Sequence, residues 1–204
     1  MISLFIDTSS SDVSIVVVKD EKILSKIVKN IPNEHSIYTT SFLDKVIKDA
    51  SIDVSDVDRI LVVNGPGSFT GVRIGVTIAK VYAYLEKIDI VCVSSLKMRA
   101  ITCSHDYCLS VMDARHGNYY LGLYDSNNRE VVSEQFASMD MVMDLVDKYN
   151  PIIVSDHDIM IDNIEVKKQE LDFVKIVGYY KNYESLDCHL VVPNYLKLPQ
   201  ALEK

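Results

Sequence analysis

Glycine is scarce in this chain: there are seven in 204 residues, yet Gly65, Gly67, Gly71 and Gly75 fall within eleven residues of one another. So dense a cluster in a glycine-poor sequence asks for a specific turn or a close approach of backbones. A basic excess is also lacking. Lys and Arg number 21 against 29 Asp and Glu, a net charge of −8, whereas a surface that grips RNA or DNA unaided usually neutralises phosphates with surplus cations. Direct nucleic-acid binding is therefore not expected. The N-terminal MISLFIDTSSS has no basic leader, and its apolar run stops at Asp7; this reads as neither signal peptide nor membrane span, so a cytoplasmic chain without membrane attachment is expected. The four cysteines, Cys92, Cys103, Cys108 and Cys188, show no Cys-x-x-Cys spacing and are expected as free thiols. Cys103, His105 and Cys108 could offer three ligands to zinc, but their spacing fits no common zinc knuckle. With 48% hydrophobic and 25% charged residues, the composition is that of a folded chain with a sizeable core.

Periodicity supplies the elements. Residues 2–6, 13–18 and 22–28 are strand-like and separated by tight turns, and Ile37, Phe42, Leu43, Val46, Ile47 and Ala50 mark one buried face of a helix over 34–50. A strand at 59–63, a helix over 71–86 and a strand at 90–93 complete the first half. The second half begins the same way. Setting Asp113 over Asp7, an offset of 106 residues, aligns FIDTSSSDVSIVVV with VMDARHGNYYLGLY; a strand at 130–136, a helix over 139–149 and a strand at 152–155 then follow. Chance would seldom align a strand, an acidic exit residue and a hairpin in both halves. The expectation is two related lobes, residues 1–103 and 104–204, each a mixed sheet flanked by helices.

In two-lobed folds of the actin, sugar kinase and heat-shock ATPase class, the turn after the first strand of each lobe can cradle phosphate, with the strand-end Asp holding magnesium or water. Asp7-Thr8-Ser9-Ser10-Ser11 and Asp113-Ala114-Arg115-His116-Gly117 occupy those places. Plain hairpin connectors would use the same residues. The loop Gly65-Pro66-Gly67-Ser68-Phe69-Thr70-Gly71 lies between a strand and a helix, but Val72-Arg73 follow where a Walker A loop needs Lys and Ser or Thr, and Thr70 stands at the third glycine of a dinucleotide fingerprint. A tight turn capped by Ser68 or Thr70 accounts for it. Beyond the loop, Gly71, Gly75, Ala79 and Ala83 recur every four residues, a ridge with almost no side chain along which another helix could approach closely. That helix could be the one at 34–50 or one from another subunit.

The segments LFIDTSSSDVSIVVV, EHSIYTTSFLDKVIKDA, NGPGSFTGVRIGVTIAK, VSSL, MDARHGNYYLGLYD and PNYLKLPQALEK, in this order along the whole chain, resemble the TsaB (YeaZ) family of bacterial tRNA threonylcarbamoyladenosine biosynthesis. The resemblance implies an α/β, two-lobed actin-like fold (ASKHA, ribonuclease H-like). It also implies a non-catalytic partner of TsaD, in a complex with the ATPase TsaE, that transfers a threonylcarbamoyl group to the adenosine beside the tRNA anticodon; TsaC supplies the activated donor. TsaD would dock on the two N-terminal-lobe helices, through Tyr38, Phe42 and Val46 of the first and Gly71, Arg73, Ile74, Gly75, Ile78, Ala79 and Tyr82 of the second. Without the partner, the same surface would close a homodimer.

Departures from TsaD matter as much. Where TsaD has a metal-binding pair of histidines four apart, this chain aligns Ser95 and Arg99, a weak ligand and a cation without a lone pair to give. After Asp113 only Gly117, Gly122 and Gly178 remain, with no paired glycines to receive an adenine ring. Asp7, Thr8, Asp113 and Arg115 would then be a vestigial cleft, with no metal and no cofactor expected. The five histidines are scattered, His35 reads as a polar neighbour at a helix start, and Asp156-His157-Asp158 reads as solvated charge in a loop. The competing class is an enzyme: an ATP-binding or ATP-hydrolysing actin-like protein using Asp7 and Asp113 with magnesium, or a peptidase by analogy with TsaD's older name, glycoprotease.

Overall fold

A computed structural model describes residues 1–197, so residues 198–204, the end of the PNYLKLPQALEK segment, lie outside the described residues. Along the chain the elements are β1 (Ile2–Asp7), β2 (Asp12–Lys19), β3 (Lys22–Asn30), α1 (His35–Asp49), β4 (Arg59–Gly65), α2 (Phe69–Glu86), β5 (Asp89–Ser94) and α3 (Ser95–Ile101). There follow β6 (Tyr107–Asp113), β7 (Asn118–Asp125), β8 (Glu130–Ser138), α4 (Met139–Tyr149), β9 (Ile152–Ser155), β10 (Ile159–Ile161), β11 (Ile164–Val166) and α5 (Phe173–Tyr179). Short 3-10 turns cover Val54–Asp56 and Cys188–Leu190. Every element read from periodicity is present, and β7 reproduces β2 at the offset of 106.

Two compact units result: Met1–Ser95 with Asp172–Asn194, and Leu96–Leu171 with the described residues from Tyr195. In the first, the strand order is β3-β2-β1-β4-β5, with β1 antiparallel to β2 and parallel to β4. Leu4, Phe5, Ile6, Ile15, Val16 and Val17 are all fully buried, because both faces of the sheet are covered and the central strands read as continuous apolar runs. On one face Leu4, Ile6 and Ile15 pack with Leu43 and Val46 of α1 and with Val72, Val76 and Ala79 of α2. On the other, Phe5 meets Phe173 of α5 edge-on at 5.4 Å between ring centroids. Each such side chain contributes roughly 1.5–3 kcal/mol on burial.

The second unit repeats the plan with four strands in the order β8-β7-β6-β9, β6 antiparallel to β7 and parallel to β9. Ser138 caps α4, accepting the Met141 N–H, and Asn150 ends it in a left-handed conformation at φ 44°. Leu109, Val111, Leu121 and Leu123 form its core with Val142 and Leu145 of α4. The β10/β11 hairpin takes the place that a second helix and fifth strand hold in the first unit.

The division differs from the one read in the sequence, 1–103 and 104–204, because residues 172–194 return to the first unit. Four tethers hold them there. Arg59 Nη1 donates to the carbonyls of Tyr180 and Lys181 at 3.1 and 2.8 Å, the Leu186 N–H donates to the Ile90 carbonyl, the Asn194 N–H donates to the Asn64 carbonyl, and Lys80 Nζ donates to the carbonyls of His189 and Val191.

Candidate functional site

The first strand-exit turn is closed over by the glycine loop. Asp7 is 3% exposed and its Oδ1 accepts the Ser9 N–H at 2.8 Å, an Asx turn. Thr8 Oγ1 donates to the Gly71 carbonyl at 2.7 Å, and the Ser68 N–H donates to the Ser9 carbonyl at 2.7 Å. A methyl group at Gly71 would collide with the Thr8 carbonyl oxygen, and one at Gly75 with Thr8 Oγ1. The ridge Gly71, Gly75, Ala79 and Ala83 is buried throughout. At Gly71 and Gly75 the close neighbour is Thr8, its carbonyl and its hydroxyl, rather than a helix, while Ala79 and Ala83 lie in the core with Leu43 and Val46 of α1, the internal helix at 34–50.

The loop is likewise structural. Ser68 is the N-cap of α2, its Oγ accepting the Gly71 N–H at 3.3 Å, as the capping reading required. Gly65 and Pro66 are buried, and Ser95 Oγ donates to the Pro66 carbonyl. The N–H groups of Ser68 and Gly71, which would face a phosphate in a nucleotide loop, already have partners within the turn. Phe69 is 39% exposed, with the Arg73 guanidinium 3.7 Å above its ring, and Thr70 is exposed. His35 is 7% exposed at the start of α1, and its Nε2 donates to the Ser10 carbonyl at 2.8 Å, which makes it a buried strut for the same turn.

The second strand-exit turn keeps the local chemistry without the cover. Asp113 Oδ1 accepts the Arg115 N–H at 2.7 Å, again an Asx turn, but Asp113 and Arg115 are exposed and a methyl group at Gly117 would touch nothing within 4 Å. Beside it, at the exit of β9, Asp156 is not the solvated charge the sequence suggested. Its side chain is 9% exposed and its Oδ1 lies 2.9 Å from His157 Nδ1. Burial alone would push the carboxyl up, yet the His157 hydrogen bond and the Arg99 guanidinium together hold it below the usual carboxylate range. The same hydrogen bond raises His157, burial opposing it. Asp158 remains exposed and accepts the Lys168 N–H at 2.8 Å.

The TsaD metal does not fit here. Ser95 is fully buried with its hydroxyl turned to the Pro66 carbonyl, and Arg99, 3% exposed, adds positive charge opposite Asp156; a neutral hydroxyl is a weak ligand and a guanidinium has no lone pair to give in place of imidazole. Cys103 and Cys108 are free thiols whose sulfurs share a hydrogen bond, Cys108 donating, which lowers Cys103 and raises Cys108. His105 is exposed, and among the described residues these three donors do not converge on one point.

The residues expected to dock a partner divide into two sets. Val46, Gly71, Gly75 and Ala79 are buried and face the core. Tyr38 is 37% exposed and stacks on Phe42 at 5.7 Å, Arg73 is exposed, and Ile74, Ile78 and Tyr82 are half-buried, Ile78 and Tyr82 against the core. Ile37, placed by its spacing on the buried face of α1, is instead 63% exposed, and Val81, Tyr84 and Leu85, which sequence reading missed, are 48%, 61% and 65% exposed. The signal was present: Ile74, Ile78, Val81 and Leu85 recur at three- and four-residue steps along the flank of α2 beside the glycine ridge. A helix apolar on both faces has one face left for a partner. Among the described residues no helix is long and apolar enough to cross a membrane.

Two sheets of this strand order, each opening with a strand that ends in Asp and a hairpin, define an actin-like, ribonuclease H-like class of protein. YeaZ from Pseudomonas aeruginosa has the same fold, with a TM-score of 0.80 at 21% identity over 96% of this chain and 99% of that one. Residues 22–178 match the family described as TsaD, tRNA N6-adenosine threonylcarbamoyltransferase. The tRNA threonylcarbamoyladenosine biosynthesis protein TsaB of Bacillus subtilis is 32% identical across 100% of this chain and 97% of its own. A tRNA N6-adenosine threonylcarbamoyltransferase of Fusobacterium nucleatum is 32% identical over 58% of this chain and 41% of its own. The chain belongs to the TsaB (YeaZ) family of tRNA threonylcarbamoyladenosine biosynthesis proteins.

Proposed function

We propose that this chain is a non-catalytic subunit of a cytoplasmic threonylcarbamoyl-transfer complex and that it docks TsaD through the outward face of α1 and α2, with TsaE joining the larger assembly. The observation that carries the reading is the set of exposed apolar side chains Val81, Tyr84 and Leu85 on α2, bordered by half-buried Ile74 and Ile78, with exposed Ile37 and Tyr38 on α1. Helices offer such stripes to other helices. Catalysis and tRNA binding fall to the partner: the first strand-exit turn is packed with protein atoms, Ser95 and Arg99 cannot hold a metal, and the net charge of −8 is unsuited to gripping RNA. Without TsaD the same stripe pairs two copies of the chain.

Coexpression with TsaD tests this. Val81→Asp combined with Leu85→Asp changes two exposed side chains, 48% and 65% accessible, so the fold should persist while copurification and threonylcarbamoyl transfer to tRNA are lost. Undiminished copurification would place the docking surface elsewhere. The enzyme reading, ATP held by Asp7 and Asp113 with magnesium, is checked by calorimetry on the isolated chain. Tight magnesium–ATP binding abolished by Asp113→Ala would revive it.

A further inference from the structure

The segment that returns to the first unit ends in a cluster that docking does not use. Asp187 caps the 3-10 turn Cys188–Leu190, its Oδ1 accepting the His189 N–H at 2.8 Å. A carboxylate oxygen of Asp187, Sγ of Cys188 and a ring nitrogen of His189 all lie within 4.8 Å of one another. The turn is anchored to α2 from behind: Lys80 Nζ donates to the His189 carbonyl at 3.2 Å and to that of Val191 at 2.9 Å, and the His189 ring stands edge-on to Tyr84 at 5.3 Å. Asp187 and His189 are exposed and Cys188 half-buried, so the donors are held on a fixed backbone yet open to solvent.

We propose that Asp187, Cys188 and His189 form a binding site for a borderline divalent cation of the Zn²⁺ class. The donor set decides the class. Thiolate and imidazole suit Zn²⁺, Co²⁺ and Ni²⁺, whereas Mg²⁺ and Ca²⁺ demand oxygen ligands. A tetrahedral ion with bonds of about 2.0–2.3 Å separates its ligand atoms by roughly 3.3–3.8 Å. Donors already within 4.8 Å of one another reach that spacing by side-chain rotation, leaving the backbone in place. Three protein ligands leave the fourth position open to water or to a donor on a docked molecule. All three ligands come from one short segment, and Lys80 sets a positive charge behind the turn, so the ion binds reversibly and is not required for folding. Cys188 must lose its proton on binding, so affinity falls as pH falls.

The test is Co²⁺ titration of the full chain without an affinity tag, followed by absorption. The expected result is one equivalent bound, with a thiolate-to-cobalt charge-transfer band and tetrahedral d–d bands, both erased by added Zn²⁺. Cys188→Ser should remove the charge-transfer band and weaken binding by more than about tenfold. His189→Gln, an exposed substitution that leaves core packing alone, should weaken it comparably, and Cys103→Ser, in the second unit, should change nothing. Absence of the band, its survival in Cys188→Ser, unchanged affinity in His189→Gln, or its loss in Cys103→Ser would each overturn the site.

Discussion

The two strand-exit turns use one local design in opposite settings. Asp7 and Asp113 each end the first strand of a unit and each accept the N–H two residues on. In the first unit a glycine-bearing helix is laid on the turn until Thr8 and Ser9 are fully buried; in the second the turn stays exposed, with Arg115, His116 and Gly117 all at positive φ. The local sequence sets the turn, and the element packed on it decides whether the space beside it survives. For the first unit that element is α2, whose glycines let it close directly on Thr8. No such helix follows β9 in the second unit, where the β10/β11 hairpin stands instead.

The largest effect that would sharpen this contrast comes from adding one methyl group to each turn. Gly71→Ala gains about 1 kcal/mol of helix propensity but drives a Cβ into the Thr8 carbonyl oxygen. Backbone must move, and the expected net loss in urea unfolding is more than about 3 kcal/mol, a large part of a typical 5–15 kcal/mol stability. Gly117→Ala meets no neighbour and loses only the left-handed preference at φ 72°, about 1 kcal/mol. Equal costs at the two sites would break the comparison. A smaller effect separates the side chains. Thr8→Val removes a buried donor from the Gly71 carbonyl and should cost about 1–2 kcal/mol, whereas Asp113→Ala, on an exposed turn, should stay within about 0.5 kcal/mol.

The repeat itself was legible because strand alternation and an acidic exit residue are local signals, and β2 and β7 carry them at the offset of 106. A polar cap on α2, Ser68 or Thr70, was legible for the same reason, and the structure selects Ser68. What the glycine ridge approaches was not: a four-residue spacing of small residues requires a close neighbour but does not say whether it is a helix or the Thr8 backbone. The return of residues 172–194 was hidden as well, since its signals are partners far away in sequence, Phe5 for Phe173 and Arg59 for the Tyr180 carbonyl. The short α3 merges with the strand before it, and the seven-residue α5 offers fewer than two full turns of periodicity. The exposed apolar side chains of α2 were not legible. Ile74, Ile78 and Tyr82 were named and are half-buried, while the more exposed Val81 and Leu85 were masked by a reading that gave the helix a single working face.

The smallest effect concerns charge, and it separates the two turns by pH. In the first unit the parallel neighbour of β1 ends in Asn64 and Gly65, both uncharged; the Asn64 side-chain amide donates to the Val192 carbonyl and its own carbonyl accepts the Asn194 N–H. In the second the neighbour of β6 leads into Asp156 and His157, a pair that titrates. Asp156 is held below 3.8, so its contribution is present above that value and is lost as pH falls through its lowered folded value. His157 is raised above 6.5, so its contribution is complete below 6.5 and is lost as pH rises through its folded value. The pair therefore stabilises most between those limits. His157 is 47% exposed, so solvent screening keeps the difference to at most about 1 kcal/mol. Urea midpoints at about pH 5.5 and about pH 8 should show a loss on the alkaline side that His157→Asn abolishes. A loss of the same size in His157→Asn would place the titrating group elsewhere and leave the two turns alike in their response to pH.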